Sequence, residues 1–130
     1  MRSDERGVSM SVFACGAIMA LLILAGLVVD GTAQLMARER AQGAAAQIAR
    51  WATDASVPYQ VDGSDGRNVA LTAARTAAAN YPDLNFDITM DQAGVLHITG
   101  TKQVNTVFLQ LIGVSSLPAT GMASAVVIRP

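Results

Sequence analysis

The longest feature of the hydrophobic pattern is an uncharged run of 22 residues, from Val8 to Val29. Eleven of these residues are Leu, Ile, Val or Phe, side chains that each favour bilayer insertion by about 0.3–0.6 kcal/mol. A helix of this length spans about 33 Å, which matches a hydrocarbon core of about 30 Å. The pattern therefore predicts a transmembrane helix over residues 8–29.

Two processed forms compete with a retained span for this run. A cleaved secretory signal has a shorter apolar core of about 7–15 residues, although "GTA" before Gln34 offers small residues of the kind found at a cut site. A lipoprotein box would end at Cys15, but too little apolar sequence precedes that residue. We expect the span to be retained as a single membrane anchor.

The charges that flank the run predict its orientation. Arg2 and Arg6 lie close to its N-terminal end, whereas Asp30 is the first charge on the other side, with Arg38 and Arg40 two turns further out. Positive residues near the membrane favour the cytoplasmic side. We therefore expect a single-pass membrane protein with a cytoplasmic N-terminus and an extracytoplasmic C-terminal domain. Since eight arginines against one lysine suggest a GC-rich bacterial genome, the membrane is expected to be that of a bacterial cell.

A helical period continues beyond the membrane. Pro58 disfavours helical geometry in the residue before it, so this helix is expected to end near Ser56. Small apolar residues recur at three- and four-residue steps and predict one buried stripe of an amphipathic helix: Ala37, Ala41, Ala44, Ala45, Ile48, Trp51, Ala52 and Ala55. The pattern predicts a stalk continuous with the span.

A second, shorter helix is predicted from about Asn68 to Asn80. Ser64 or Asp65 is placed to cap its N-terminus, and Pro82 ends it. Its small-residue face suits close packing against the alanine stripe of the stalk, and consists of Val69, Ala70, Ala73, Ala74 and Ala77.

Alternation with a period of two then predicts three strands. The first, 84–90, faces Leu84, Phe86, Ile88 and Met90 to one side, and after a turn at 91–94 the second strand returns over 95–104. Asn105 is expected to cap a short apolar helix over 106–113, and the third strand is expected over 120–129.

These elements predict an α+β fold. A long N-terminal transmembrane helix continues into a soluble domain with a second helix and a three-stranded antiparallel sheet packed on the stalk. The expected division is a cytoplasmic tail or leader at 1–7, the span at 8–29, the helical stalk at 30–56 and the extracytoplasmic domain at 57–130.

Composition narrows the functional classes. The formal net charge of −1 and the pI near 5.6 argue against nucleic-acid binding, which usually needs a basic face. The one cysteine, Cys15, lies inside the apolar run, so the chain forms no intramolecular disulfide.

Candidate chemistry is sparse. His97 is the only histidine and lies mid-strand, without the partners of a metal cluster or a nucleophile–base pair. "DGSDG", residues 62–66, lacks the bidentate acid of a calcium loop and is interpreted as a turn. Asp83, Asp87 and Asp91 are close in sequence, but Asp87 and Asp91 are expected on a solvated strand face or its turn, and no catalytic role is expected for the three. We expect no catalytic residue, no metal, no cofactor and no small-molecule substrate.

Gly16 and Ala20 form one small-xxx-small pair in the apolar run. Residues of this size at a four-residue spacing let transmembrane helices approach closely. The pair is therefore a candidate site of helix packing in the membrane.

The order of motifs resembles one family. "RGVSMSVF" before the apolar run, then "GLVVDG" and "ARERAQGAAAQIA", is similar to the TadE/TadG-like proteins of tight-adherence (Flp) pilus assembly. "VFLQLIG" before "SSLPATGMASAVV" resembles the end of the same domain in actinobacterial members. The resemblance implies a membrane-anchored minor pilin or pseudopilin, with other pilin-like or Tad assembly proteins and the lipid bilayer as partners.

The resemblance also implies a prepilin-peptidase cut between Gly7 and Val8. The chain departs from the family at Val12, before Phe13, where pilin-like members carry a glutamate that neutralises a neighbour's new amino terminus. An uncleaved, membrane-resident assembly factor is therefore an alternative to a filament subunit. A membrane-tethered binding module of the cell envelope, unrelated to pili, is the alternative from another functional class.

Overall fold

The computed structural model describes residues 4–127 and confirms the α+β fold. Three antiparallel strands follow two helices and pack on the first of them, with the strand order β1-β2-β3. A short 3-10 helix lies between β2 and β3. The elements are α1 Asp4–Val61, α2 Arg67–Ala78, β1 Asn85–Met90, β2 Val95–Asn105, the 3-10 helix Leu109–Ile112 and β3 Ser116–Val126.

α1 is one helix of 58 residues, and it contains both the predicted span and the predicted stalk. The expected end near Ser56 is wrong, because the helix continues through Pro58 to Val61. Ser56 is buried, and Gln60 in the next turn donates a hydrogen bond to the carbonyl oxygen of Val127. These tertiary contacts hold the last turn in place although proline removes one hydrogen bond of the helix.

The predicted buried stripe of the stalk is confirmed except at Trp51, which is exposed, and Ala55, which is half-buried. Ile48 and the alanines around it are buried, with Ala49 and Ser56 added at one side of the stripe. Trp51 is 65% exposed. It lies three residues after Ile48, about 60° away around the helix, and this rotation places it at the edge of the stripe.

The core lies between α1, α2 and one face of the sheet. Ile48 from α1 and Leu96 and Ile98 from β2 are fully buried, and alanines from both helices surround them. Phe86, Ile88 and Met90 of β1 are half-buried against this core, which confirms the predicted facing of the first strand. Small residues on both helices allow the close packing expected from the sequence.

Two glycines let the sheet approach the helix. Gly100 of β2 and Gly121 of β3 are directly paired across the sheet and lie beneath α1. A Cβ at Gly121 would lie 2.1 Å from the backbone nitrogen of Gln42, and one at Gly100 would lie 3.4 Å from the carbonyl oxygen of Ala41. Any side chain at Gly121 would therefore force helix and sheet apart.

Glutamines of α1 occupy the outer edge of β3. The Gln42 amide donates to the carbonyl of Met122 at 2.5 Å and accepts from its N–H at 2.8 Å, and Gln34 donates to the carbonyl of Pro118 at 2.9 Å. From Gln34 to Gln42 the helix rises about 12 Å, and from Pro118 to Met122 the strand rises about 13 Å. The two spacings therefore match. The stalk thus covers an edge that would otherwise be open to pairing with another chain.

The third strand and the short helix differ from prediction. β3 begins at Ser116, four residues before the expected start, because β2 pairs with it as far as Asn105↔Ser116. Residues 128 and 129 of the predicted strand lie outside the described residues. The 3-10 helix covers only Leu109–Ile112, and Asn105 does not cap it, since Asn105 ends β2.

Candidate functional site

The carboxylate that caps the 3-10 helix belongs to α1. Asp30 Oδ1 accepts a hydrogen bond from the Val107 N–H at 2.8 Å, and Oδ2 accepts from Phe108 at 3.0 Å and from Leu109 at 2.8 Å. These amides open a helical turn and have no partner within it, so an acidic side chain suits them. Asp30 is only 2% exposed as a result.

A second contact lies one turn earlier on α1. Gly26 is buried, and a Cβ built there would lie 2.5 Å from Cβ of Phe108 and 2.6 Å from its Cγ. Only a glycine therefore accommodates Phe108 at this distance. Gly26 belongs to the uncharged run, so the segment after β2 packs on the last turns of the predicted membrane span.

We call residues 106–114 the apolar loop. Thr106 closes it: its N–H donates to Ser115 at 3.0 Å, and its hydroxyl donates to the carbonyl of Val114. Gly113, with φ of 95°, ends the 3-10 helix, and the Val114 N–H donates to the carbonyl of Leu109 at 3.0 Å. The backbone of the loop is thus largely hydrogen-bonded within the protein.

Three apolar side chains of the apolar loop are largely exposed, whereas Thr106 is buried and Phe108 lies against Gly26. Leu111 is 80% exposed and Ile112 is 75% exposed, and Val107 is also largely uncovered. No charged residue occurs between Lys102 and Arg129. The molecule therefore presents a compact apolar surface beside the end of the uncharged run.

The sequence predicted the apolar segment as a short helix but did not predict its contact with α1. Asp30 was visible as the first charge after the span, but its partners lie 77–79 residues away in the chain. The expectation that Asn105 caps the turn followed from proximity in sequence, and it is replaced by a tertiary contact.

The residues predicted to act in the membrane all lie on the exposed surface of α1. Gly7, Val8 and Val12 occupy its N-terminal turns, and the Gly7–Val8 peptide is part of the helix. Gly16 and Ala20 are exposed on one face, and a Cβ at Gly16 would meet no atom within 4 Å. Processing at Gly7–Val8 and helix packing at Gly16 and Ala20 stay predictions.

The titratable side chains described next form ion pairs and hydrogen bonds that join elements of the fold. Asp83, in the turn before β1, receives Arg40 Nε at 2.9 Å and Lys102 Nζ at 3.0 Å, and so ties α1 to β2. The hydrogen bond from Arg40, and then that from Lys102, hold the pKa of Asp83 far below its usual value. His97 is exposed, with Nε2 3.3 Å from Oδ2 of Asp91.

The other acidic motifs occupy turns. Asp91 Oδ1 accepts from the Val95 N–H at 2.9 Å at the β1–β2 turn, and Asp65 accepts from the Arg67 N–H at 2.9 Å at the start of α2. Gly63, within "DGSDG", adopts a φ of 72°. Across the described part of the chain, no three His, Cys, Asp or Glu side chains are placed to hold a metal ion.

An open groove of about 530 Å³ lies between α1 and α2. It is lined mainly by Trp51, Ala55, Val69, Ala73 and Thr76, together with neighbouring side chains of α2. Since no titratable side chain lines it, the groove provides no general acid or base.

Comparison with known proteins finds a family match for the N-terminal part of the chain. A family model described as putative Flp pilus-assembly TadE/G-like matches residues 7–52. No curated protein matches the chain, and no solved structure does. The matched segment contains the uncharged run, Asp30 and most of the alanine stripe, and the long apolar helix indicates single-pass membrane anchoring. The resemblance to the TadE/G-like proteins of Flp pilus assembly is thus confirmed over the span and the stalk, residues 7–52.

Proposed function

We propose that the protein is a membrane-anchored minor pilin or pseudopilin-like component of Flp pilus assembly. The family match over residues 7–52 supports a part in this process. The observation that carries the finer proposal is the unbroken α1, Asp4–Val61. Its uncharged run, residues 8–29, is exposed except at Gly26, and its second half forms one wall of the domain. Its partners in this role are the bilayer and other pilin-like or Tad assembly proteins.

The contacts of α1 suit a component that transmits movement. Asp30 joins the span to the loop before β3, and Gln34 and Gln42 join the next turns to β3 itself. A displacement of the span along its axis would therefore move the whole domain, because these contacts leave no flexible linker between the span and the domain. A flexibly tethered binding module would not need this coupling.

The proposed topology has residues 1–7 in the cytoplasm, residues 8–29 in the membrane, the stalk from residue 30 and the domain from residue 57 outside the cytoplasm. The charges before and after the run support this orientation. Gly16 and Ala20 offer the bare face on which the span would meet a second transmembrane helix.

Val12 supports residence in the membrane without cleavage. A cut after Gly7 would create an amino terminus at Val8, and an unpaired charge inside the apolar boundary is costly. The side chain at position 12 is an exposed valine and provides no negative charge for a neighbouring subunit. We propose that residues 1–7 are retained and that the protein assists assembly from the membrane.

Deletion of the gene and complementation by variants test this function. We expect the deletion to reduce the number of Flp pili counted by electron microscopy, and the unaltered gene to restore it. We expect intact-mass measurement of the membrane-extracted protein to show that residues 1–7 are retained. A mature form beginning at Val8 would indicate a filament subunit, and unchanged piliation would favour the cell-envelope binding module.

A further inference from the structure

We propose that the apolar loop, residues 106–114, is a second membrane contact, which lies in the lipid boundary next to the point where α1 leaves the bilayer. The occupant of its exposed surface is the bilayer that holds α1. This inference rests on single-pass anchoring by α1 and is independent of a role in pili.

The position of the loop follows from its contacts with α1. Phe108 lies against Gly26, which precedes Val29, the last residue of the uncharged run, by three residues or about 4.5 Å of helix rise. The amides of the loop are fixed to Asp30, the next residue. The loop therefore lies at the depth of the last turn of the span, and the lipid around Gly26 also reaches the side chains next to Phe108.

The chemistry of the loop suits this depth. Leu111 and Ile112 are the most exposed large apolar residues that the described part of the chain carries outside α1, and Val107 lies beside them. Apolar side chains of interfacial segments are buried about 5–10 Å into the boundary between headgroups and acyl chains. The loop thus presents Leu111, Ile112 and Val107 to that layer, with Gln110 as its one exposed amide side chain and no charged side chain.

Most backbone N–H groups of the loop also have partners within the protein. Non-helical backbone at the edge of a membrane needs internal partners, since lipid supplies none. The N–H groups of Val107, Phe108 and Leu109 have Asp30, and those of Gly113 and Val114 have carbonyls of the 3-10 helix. Asp30 in turn is enclosed by these amides, so the charge nearest the span does not face the acyl chains.

The span and the apolar loop together would fix the orientation of the domain relative to the membrane. The span alone leaves the molecule free to rotate about the membrane normal and to tilt away from it. An inserted loop at one side of α1 would limit tilting of the domain and would hold the start of β3, at Ser116, near the membrane surface. The outer end of the domain, at the β1–β2 turn, then points away from the lipid.

Depth-dependent fluorescence quenching tests this inference on the full chain. A single cysteine would be introduced by Leu111→Cys in a Cys15→Ala background, labelled with an environment-sensitive fluorophore, and the protein reconstituted into phosphatidylcholine vesicles. The vesicles carry a nitroxide either near the headgroup or near the end of the acyl chain. Leu27→Cys, in the span, and Asp65→Cys, in the loop before α2, are the matched references.

We expect the probe at position 111 to be quenched severalfold more by the shallow nitroxide than the probe at position 65, and to be protected from aqueous iodide. Iodide quenching at position 111 equal to that at position 65, without nitroxide quenching, would overturn the inference. Protection at position 111 that disappears on dilution with lipid would also overturn it, because contact with a second copy would then cover the loop. An unquenched Leu27→Cys probe would remove its premise, the inserted span.

Discussion

The Oδ2 atom of Asp30 lies 2.8 Å from the backbone nitrogen of Leu109, although 79 residues separate the two in the chain. The contact joins the end of the predicted membrane span to the connection between the last two strands. A carboxylate that accepts three amides is held more firmly than one neutral hydrogen bond would hold it. The span and the domain therefore behave as one body at this junction.

Removal of this carboxylate should release the apolar loop. In Asp30→Ala, we expect hydrogen exchange of the Val107, Phe108 and Leu109 amides to rise on the order of tenfold or more, because each loses a charge-assisted partner. Exchange at Ile98, in the sheet, should change little. Mass spectrometry of the full chain in detergent micelles resolves both regions. Asp54→Ala, which removes an exposed carboxylate from the same helix, is the control, and equal loop exchange in the two variants would contradict the contact.

The close approach of sheet and helix predicts opposite effects at two glycines. Gly121→Ala places a Cβ 2.1 Å from the Gln42 nitrogen and should lower the free energy of unfolding by about 1–3 kcal/mol. Gly43→Ala adds a methyl group where no atom lies within 4 Å, in a helix, and should be neutral or stabilising by up to about 1 kcal/mol. Denaturant melts of the micellar protein compare them. If Gly121→Ala had the same free energy of unfolding as the unaltered protein, the close approach of helix and sheet would be contradicted.

The ion cluster at Asp83 predicts acid sensitivity. Since Arg40 and Lys102 hold the pKa of Asp83 below that of the unfolded chain, the cluster stabilises the fold above the unfolded value, about 3.9. That contribution is lost as the pH falls below this value toward the folded pKa. Asp83→Asn should therefore lower Tm at neutral pH, and the difference should shrink below about pH 4. Asp87→Asn, at an exposed position of β1, is the control; a Tm difference for Asp83→Asn that persisted undiminished in acid would contradict this origin.

The orientation of the span predicts which cysteines react on intact cells. With Cys15 replaced by alanine, Asp65→Cys is expected to be labelled by a membrane-impermeant thiol reagent when the outer layers are stripped. Ser3→Cys, in the predicted cytoplasmic tail, should be labelled only after lysis. The band shift of each variant on a gel reports the outcome. The reverse pattern would place the domain in the cytoplasm and remove the proposed role outside it.

Elements set by local pattern were predictable. The uncharged run of 22 residues, the alanine period of the stalk and the alternation from Phe86 to Met90 each carry their own structural signal, since span length and the facing of side chains depend on neighbouring residues. The antiparallel sheet followed from the short turn at Asp91–Gly94. The family resemblance was likewise visible in the motifs of residues 7–52 and is confirmed there.

The tertiary structure alone decided the partners of single polar and small residues. The sequence contained Asp30, Gly26 and Gly121, but no local rule pairs them with Leu109, Phe108 or Gln42, because those contacts arise when β2 and β3 are laid along α1. Other tertiary contacts, those of Ser56 and Gln60, carried α1 past Pro58. The sequence by itself determined that a long helix leaves the membrane and supports a small sheet. Only the packing decided that the apolar loop lies against the membrane end of that helix. The physical reason is that a carboxylate accepts hydrogen bonds from whichever unpaired amides the fold brings within reach.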